Sequence, residues 1–135
     1  MNFLQYLTER QFHRFMVVGG FGFCVDGGLL TLLMQNDWSI ISARSCSFSF
    51  AVSTTWLLNR LWTFDSGKRI SARKEYSYYF ITQILGALIN LTIFFSLINL
   101  YPALRNIPLL PLAFGATVSM AFNYLVSKKI VFKRE

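Results

Sequence analysis

The stretch FMVVGGFGFCVDGGLLTLLM, Phe15 to Met34, decides the fold: it is twenty residues long and carries a single charge, Asp26. At a rise of 1.5 Å per residue it forms a helix of about 30 Å, the thickness of a hydrocarbon core. Three further blocks have the same character, near Ile41 to Asn59, Tyr79 to Leu100 and Leu109 to Ser127. Across all 135 residues, 54% are hydrophobic and 14% charged. A soluble domain of this size carries about 25% charged residues. The blocks therefore predict an all-α integral membrane protein, one transmembrane domain over residues 1–135 with four crossings.

Between the blocks the connections are short. Gln35 to Ile40 reads as a tight turn, Tyr101 to Pro108 holds two of the three prolines, and Arg60 to Tyr78 is the one long polar segment. Before the first block, Phe3, Leu4 and Leu7 fall at helical spacing and predict a short amphipathic turn on the membrane surface. That leading segment is too polar for a secretory signal, so the first span is expected to be retained.

The 13 Lys and Arg exceed the six Asp and Glu, and their placement gives an orientation. Arg10, Arg14, Arg60, Lys68, Arg69, Arg73, Lys74, Lys128, Lys129, Lys133 and Arg134 fall on one side of the blocks, and only Arg44 and Arg105 on the other. Short loops rich in Lys and Arg stay in the cytoplasm, which predicts both termini inside. Trp62, Phe64, Tyr76, Tyr78 and Tyr79 would form the inner aromatic belt, with Trp38 and Tyr101 on the far side. Because the cations flank apolar blocks and no aromatics alternate with them, membrane lipids are the expected counter-charge and no nucleic acid is.

The two halves resemble each other. A shift of 68 lays Trp56, Asn59, Arg60 and Phe64 on Tyr124, Ser127, Lys128 and Phe132, and a shift of 64 lays Gly22 and Asp26 on Gly86 and Asn90. Two-helix units repeated in one orientation are expected.

Within the spans the polar residues are few. Asp26 lies about 18 Å along its helix from Arg14; a charge at such depth costs roughly 2.5–3.5 kcal/mol on insertion scales, so it must face protein, water or a partner. Asn90 matches it in the third block. Ser47, Ala51, Thr55 and Asn59 share one helix face, and so do Gly115, Ser119, Asn123 and Ser127. Such groups either join helices or line a polar path, here Asp26, Asn90, Asn123, Thr55 and Ser119. Gly20, Cys24 and Gly28 form a small-residue row suited to close helix packing, within the chain or against a second copy.

At the cytoplasmic end, NRLWTF at Asn59 to Phe64 sets a cation between an amide and a Trp, and SKKIVF at Ser127 to Phe132 echoes it. Such a group either anchors the helix end or holds a phosphate by charge-assisted hydrogen bonds. No metal-ligand spacing, cofactor motif or catalytic set is present, so no cofactor or enzymatic activity is expected.

On these residues the chain resembles the GtrA-like family of small four-helix bacterial membrane proteins. The likeness runs from Arg14 and Phe15 leading to Gly19, through Asp26 and NRLWTF, to NYLVSKKIVF at Asn123 to Phe132. The resemblance implies translocation of a polyprenyl-phosphate-linked sugar, such as undecaprenyl-phosphate glucose, across the bacterial inner membrane for cell-surface polysaccharide synthesis. Under it, Arg14, Arg60, Lys128, Asn59 and Trp62 would hold the phosphate headgroup. Four helices leave little room for a polar groove, which predicts a homo-oligomer. Two alternatives stay open: an adaptor that recruits a glycosyltransferase through its glycine face and basic loop, and a proton-coupled cation exporter using Asp26.

Overall fold

The computed structural model describes residues 2, 5, 9–64 and 70–133. Phe3, Leu4 and Leu7 of the expected surface turn, and Lys68, Arg69 and Arg134 of the basic clusters, lie outside the described residues. All regular structure among the described residues is helical: α1 Arg10–Gln35, α2 Ile40–Leu58, α3 Ala72–Leu100 and α4 Leu109–Val126.

Three helical stretches are long and apolar enough to cross a membrane, Arg10–Gln35, Ala72–Leu100 and Leu109–Val131. Their most apolar windows are mostly uncovered, with 11% buried in the first two. Phe23 stands 79% exposed. Side chains of that kind turned outward along three helices suit lipid as the surrounding solvent, and the protein is a membrane protein. The expectation for α2 is met less fully. Its 19 residues give about 28 Å of helix, but Arg44 and seven hydroxyl residues between Ser42 and Thr55 leave it too polar to qualify by composition.

The chain folds as two compact units. Each is a helical hairpin, α1 against α2 and α3 against α4. In the first, α1 stops where Asp37 takes φ 61° and the Trp38 amide donates to the Leu33 carbonyl at 3.2 Å. Ser39 then caps α2, its hydroxyl accepting from the Ser42 amide at 3.2 Å, which satisfies one of the orphan donors of the first turn. In the second, the Tyr101 amide closes α3 on Leu97 at 2.9 Å. Pro102 then opens a short 3₁₀ turn, Pro102–Asn106, that leads into α4.

Several of the sequence boundaries need correction. The third helix begins at Ala72, seven residues before the expected Tyr79. The second and fourth helices continue past their α-helical ends as five-residue π-helices, Asn59–Thr63 and Ser127–Val131. Most of the described residues of the supposed polar connection from Arg60 to Tyr78 are therefore helical. Reading spans by apolar content stops at the first charges, whereas Arg, Lys and Glu are good helix formers that prolong a helix into the interface.

Candidate functional site

The two π-helices form matching ends to the hairpins. A π-turn closes i→i+5, and here the Phe64 amide donates to the Asn59 carbonyl at 2.9 Å and the Phe132 amide to the Ser127 carbonyl at 2.8 Å. The extra residue in the turn swings each Phe inward. Phe64 packs on Phe15 with centroids 6.2 Å apart, and Phe132 on Tyr79 at 5.9 Å. Phe64 and Tyr79 are consequently core residues of their own hairpins, which removes both from the expected aromatic belt. Trp62 and Tyr78 remain exposed.

The same turns present the cations. The Arg60 guanidinium lies over the Trp56 ring at 5.6 Å, and the Lys128 ammonium over the Tyr124 ring at 5.8 Å. A cation over an aromatic ring gains about 0.5–1 kcal/mol even at exposed sites, enough to bias a long side chain toward one position; here Tyr124 is buried and Trp56 half-buried. In the first hairpin Arg14 adds to this end: its Nη1 donates to the Trp62 carbonyl at 2.8 Å and its guanidinium lies 5.3 Å from the Trp62 ring. Of the expected phosphate group, Arg14 and Trp62 are thus brought together, and Arg60 and Lys128 occupy equivalent places in the two hairpins. Asn59 is set apart from them. It is 1% exposed, turned into the hairpin and away from the surface where a headgroup would sit.

The two polar stripes form the seams inside the hairpins. Ser47, Ala51 and Asn59 of one, and Gly115, Ser119 and Ser127 of the other, are buried. In the second hairpin the Ser119 hydroxyl donates to the Gly86 carbonyl at 2.7 Å, and Asn123 Nδ2 donates to Gln83 Oε1 at 3.3 Å. Asn90 lies against Gly115, where an added Cβ would meet the Asn90 carbonyl at 2.9 Å. In the first hairpin the Thr55 hydroxyl donates to the Val52 carbonyl at 3.1 Å, and its γ-methyl fills the space a Cβ on Gly22 would take. Side-chain hydroxyls and amides join helix to helix in the second seam, as expected for packing in lipid, whereas the Thr55 and Ser47 hydroxyls of the first bond within α2.

Those contacts do not involve the small-residue row, whose two readings are packing within the chain or against a second copy. Gly20, Cys24 and Gly28 are exposed, and a Cβ on Gly20 or Gly28 would meet nothing within 4 Å. The close approach of α1 to α2 falls at Gly22, on the other side of the helix. Spacing alone could not choose between two faces of a helix with five glycines from Gly19 to Gly28.

Asp26 has a partner that the sequence reading left on the far side of the membrane. Arg44 Nη1 donates to Asp26 Oδ2 at 2.6 Å, joining α1 to α2. The Asp26 side chain is 17% exposed and that of Arg44 54%. Sequence reasoning also missed Glu75, which is 0% exposed in the first turn of α3. An acid in the first turn suits the positive end of the helix dipole, and that position was the available signal.

The family model of the GtrA/DPMS transmembrane domain matches residues 14–132. No curated protein matches the chain.

Proposed function

The chain belongs to the GtrA/DPMS transmembrane-domain family, and on that premise we propose that it translocates a polyprenyl-phosphate-linked sugar, such as undecaprenyl-phosphate glucose, across the bacterial inner membrane. In this reading all four helices cross the bilayer, the termini are cytoplasmic, and more than one copy assembles. The single observation that carries it is the repeated cation over an aromatic ring at the π-turn of each hairpin, Arg60 on Trp56 and Lys128 on Tyr124. A prenyl tail stays in lipid throughout, so the barrier lies in moving the phosphate and the sugar through hydrocarbon. Cations steadied on rings at a helix end suit the capture of that phosphate, while the buried hydroxyls and amides of the seams offer polar partners near the path.

The two capture points are not equivalent. Arg presents a planar fork that holds phosphate by two parallel hydrogen bonds, whereas Lys acts as a point charge. Arg60, reinforced by Arg14 and Trp62, is the principal receptor in this reading, and Lys128 the weaker one. The ion pair with Arg44 already engages Asp26, the acid that the cation-exporter alternative would need.

The experiment is reconstitution into vesicles with a fluorescent polyprenyl-phosphate sugar, reading its exposure on each leaflet. Arg60→Ala is expected to slow exchange about tenfold, the worth of one charge-assisted hydrogen bond. Lys128→Ala is expected to do less. Protein-loaded vesicles that exchange no faster than empty ones would remove the translocase reading and leave the adaptor.

A further inference from the structure

The first hairpin carries a second cation that the capture end does not use. Arg44 and Arg60 are sixteen positions apart, about 24 Å along the helix at the standard rise. The bond to Asp26 engages one guanidinium nitrogen, and the Arg44 side chain is more than half exposed. On the acid, Oδ1 is buried and accepts no hydrogen bond among the described residues. Arg–carboxylate pairs frequently use both oxygens in a two-pronged bond. This pair is held by one edge, leaving the rest of the guanidinium fork turned outward.

Two comparisons within the chain sharpen the point. At the equivalent positions of the second hairpin stand Asn90 and Leu112, so the pair occurs as a unit in one hairpin and is wholly missing from the other. Between Arg44 and Arg60, Ser45, Ser49 and Ser53 repeat at the four-residue step of one helix face, the first two exposed. Their counterparts are Ala113, Thr117 and Ala121. α2 thus carries a cation within its far end as well as one at its π-turn, whereas in the second hairpin the far-side cation, Arg105, lies in the turn before α4 and not on the helix.

We propose that Arg44, held in reserve by Asp26, is a second phosphate site at the far end of the first hairpin, which receives the lipid-linked phosphate as it leaves the Arg60 end. The inference rests on the translocase reading above. Asp26 gives the site its exchangeability. A bare guanidinium in a low-dielectric setting would trap a phosphate, whereas one that returns to a carboxylate releases it. Phosphate and Asp26 compete for the same donor, and the pair re-forms when the lipid departs.

The test uses the full chain in detergent and in vesicles. The probes are farnesyl phosphate, short-chain phosphatidylglycerol and inorganic phosphate. With Asp26→Asn the competing charge is gone while a hydrogen-bonding side chain stays, so farnesyl phosphate should bind about tenfold tighter and lipid exchange should slow. In the double variant Asp26→Asn with Arg44→Gln the gain in binding should vanish and exchange should stay slow. Unchanged binding in Asp26→Asn, or wild-type exchange in the double variant, overturns the proposal. An equal gain for phosphatidylglycerol or inorganic phosphate also overturns it, since the site would then be a general headgroup anchor. If Asp26→Asn does not fold, Arg44→Lys carries the test: loss of the fork should slow exchange, and a wild-type rate refutes the role. Wild-type vesicles that fail to exchange lipid at all would defeat the translocase reading instead, a result distinct from any of these.

Discussion

The two hairpins share a plan and differ in what they place along it. Both end in a π-turn with a Phe folded inward, both set a cation over a ring one turn earlier, and both bring their helices together at a glycine, Gly22 or Gly86. Farther from that end, the first has a charged pair where the second has an amide and a leucine. The first seam closes on a methyl group, that of Thr55 against Gly22; the second closes on amides, Asn123 against Gly86 and Asn90 against Gly115. The shared π-turns and cations sit at helix ends, and the shared glycines where the helices of each hairpin come close. The differences sit where a polar group in lipid must be matched by another, so each unit keeps its own complement. A duplicated hairpin can diverge in its interior only in coordinated steps, because one charge introduced without its partner is penalised by several kcal/mol.

The strongest test of that rule is to write the first hairpin's charge into the second. Asn90→Asp alone should lower stability by roughly 2.5–3.5 kcal/mol, the insertion penalty of a lone acid at depth. Adding Leu112→Arg should recover most of the loss, as Arg44 does for Asp26. Unfolding in mixed micelles reads both values. Recovery would make the two positions true equivalents, and failure would mean that the hairpins differ in geometry as well as in residues.

The glycines rank next. Alanine at Gly115 would put its Cβ 2.9 Å from the Asn90 carbonyl. Backbone cannot turn aside, so α3 and α4 must separate, at a cost of about 1–3 kcal/mol. Alanine at Gly22 would meet only the Thr55 methyl, a side chain that can be trimmed. Its loss should be smaller, about 1 kcal/mol, and Thr55→Ser in the same chain should reverse it. A Gly115→Ala variant as mild as Gly22→Ala would show that the second seam is looser than its contacts imply.

How far these features could be read in advance followed the strength of each periodic signal. The four-residue steps through Ser47 and Gly115 ran long enough to mark one face, and both stripes proved to be seams. Apolar length predicted four spans, of which three are long and apolar enough to cross a membrane, and it located all four long helices with starts up to seven residues late. The π-turns left no trace, because a fifth residue inserted in a turn changes no composition; what was legible was the repeated spacing of Trp56, Arg60 and Phe64 that they support. Arg44 was counted among the far-side charges, where the orientation rule put it, and its reach across to Asp26 depends on helix rotation that spacing does not fix. Glu75 was read as part of a polar loop, since burial of a helix's first turn depends on the neighbouring helix.

The row Gly20, Cys24 and Gly28 gives the smallest effect and separates two roles for glycine. Within the chain it touches nothing, so Gly20→Ala should leave the hairpin intact and, by improving helix propensity, stabilise it by about 0.5–1 kcal/mol. That sign is opposite to the loss expected at Gly22, only two residues away on the same helix. If copies of the chain pack through the row, the same methyl group would sit between two backbones and weaken the assembly while strengthening the monomer. Unfolding of the hairpin and cross-linking of copies in vesicles therefore move in opposite directions. Stabilisation without loss of cross-linking would place the contact between copies on another face.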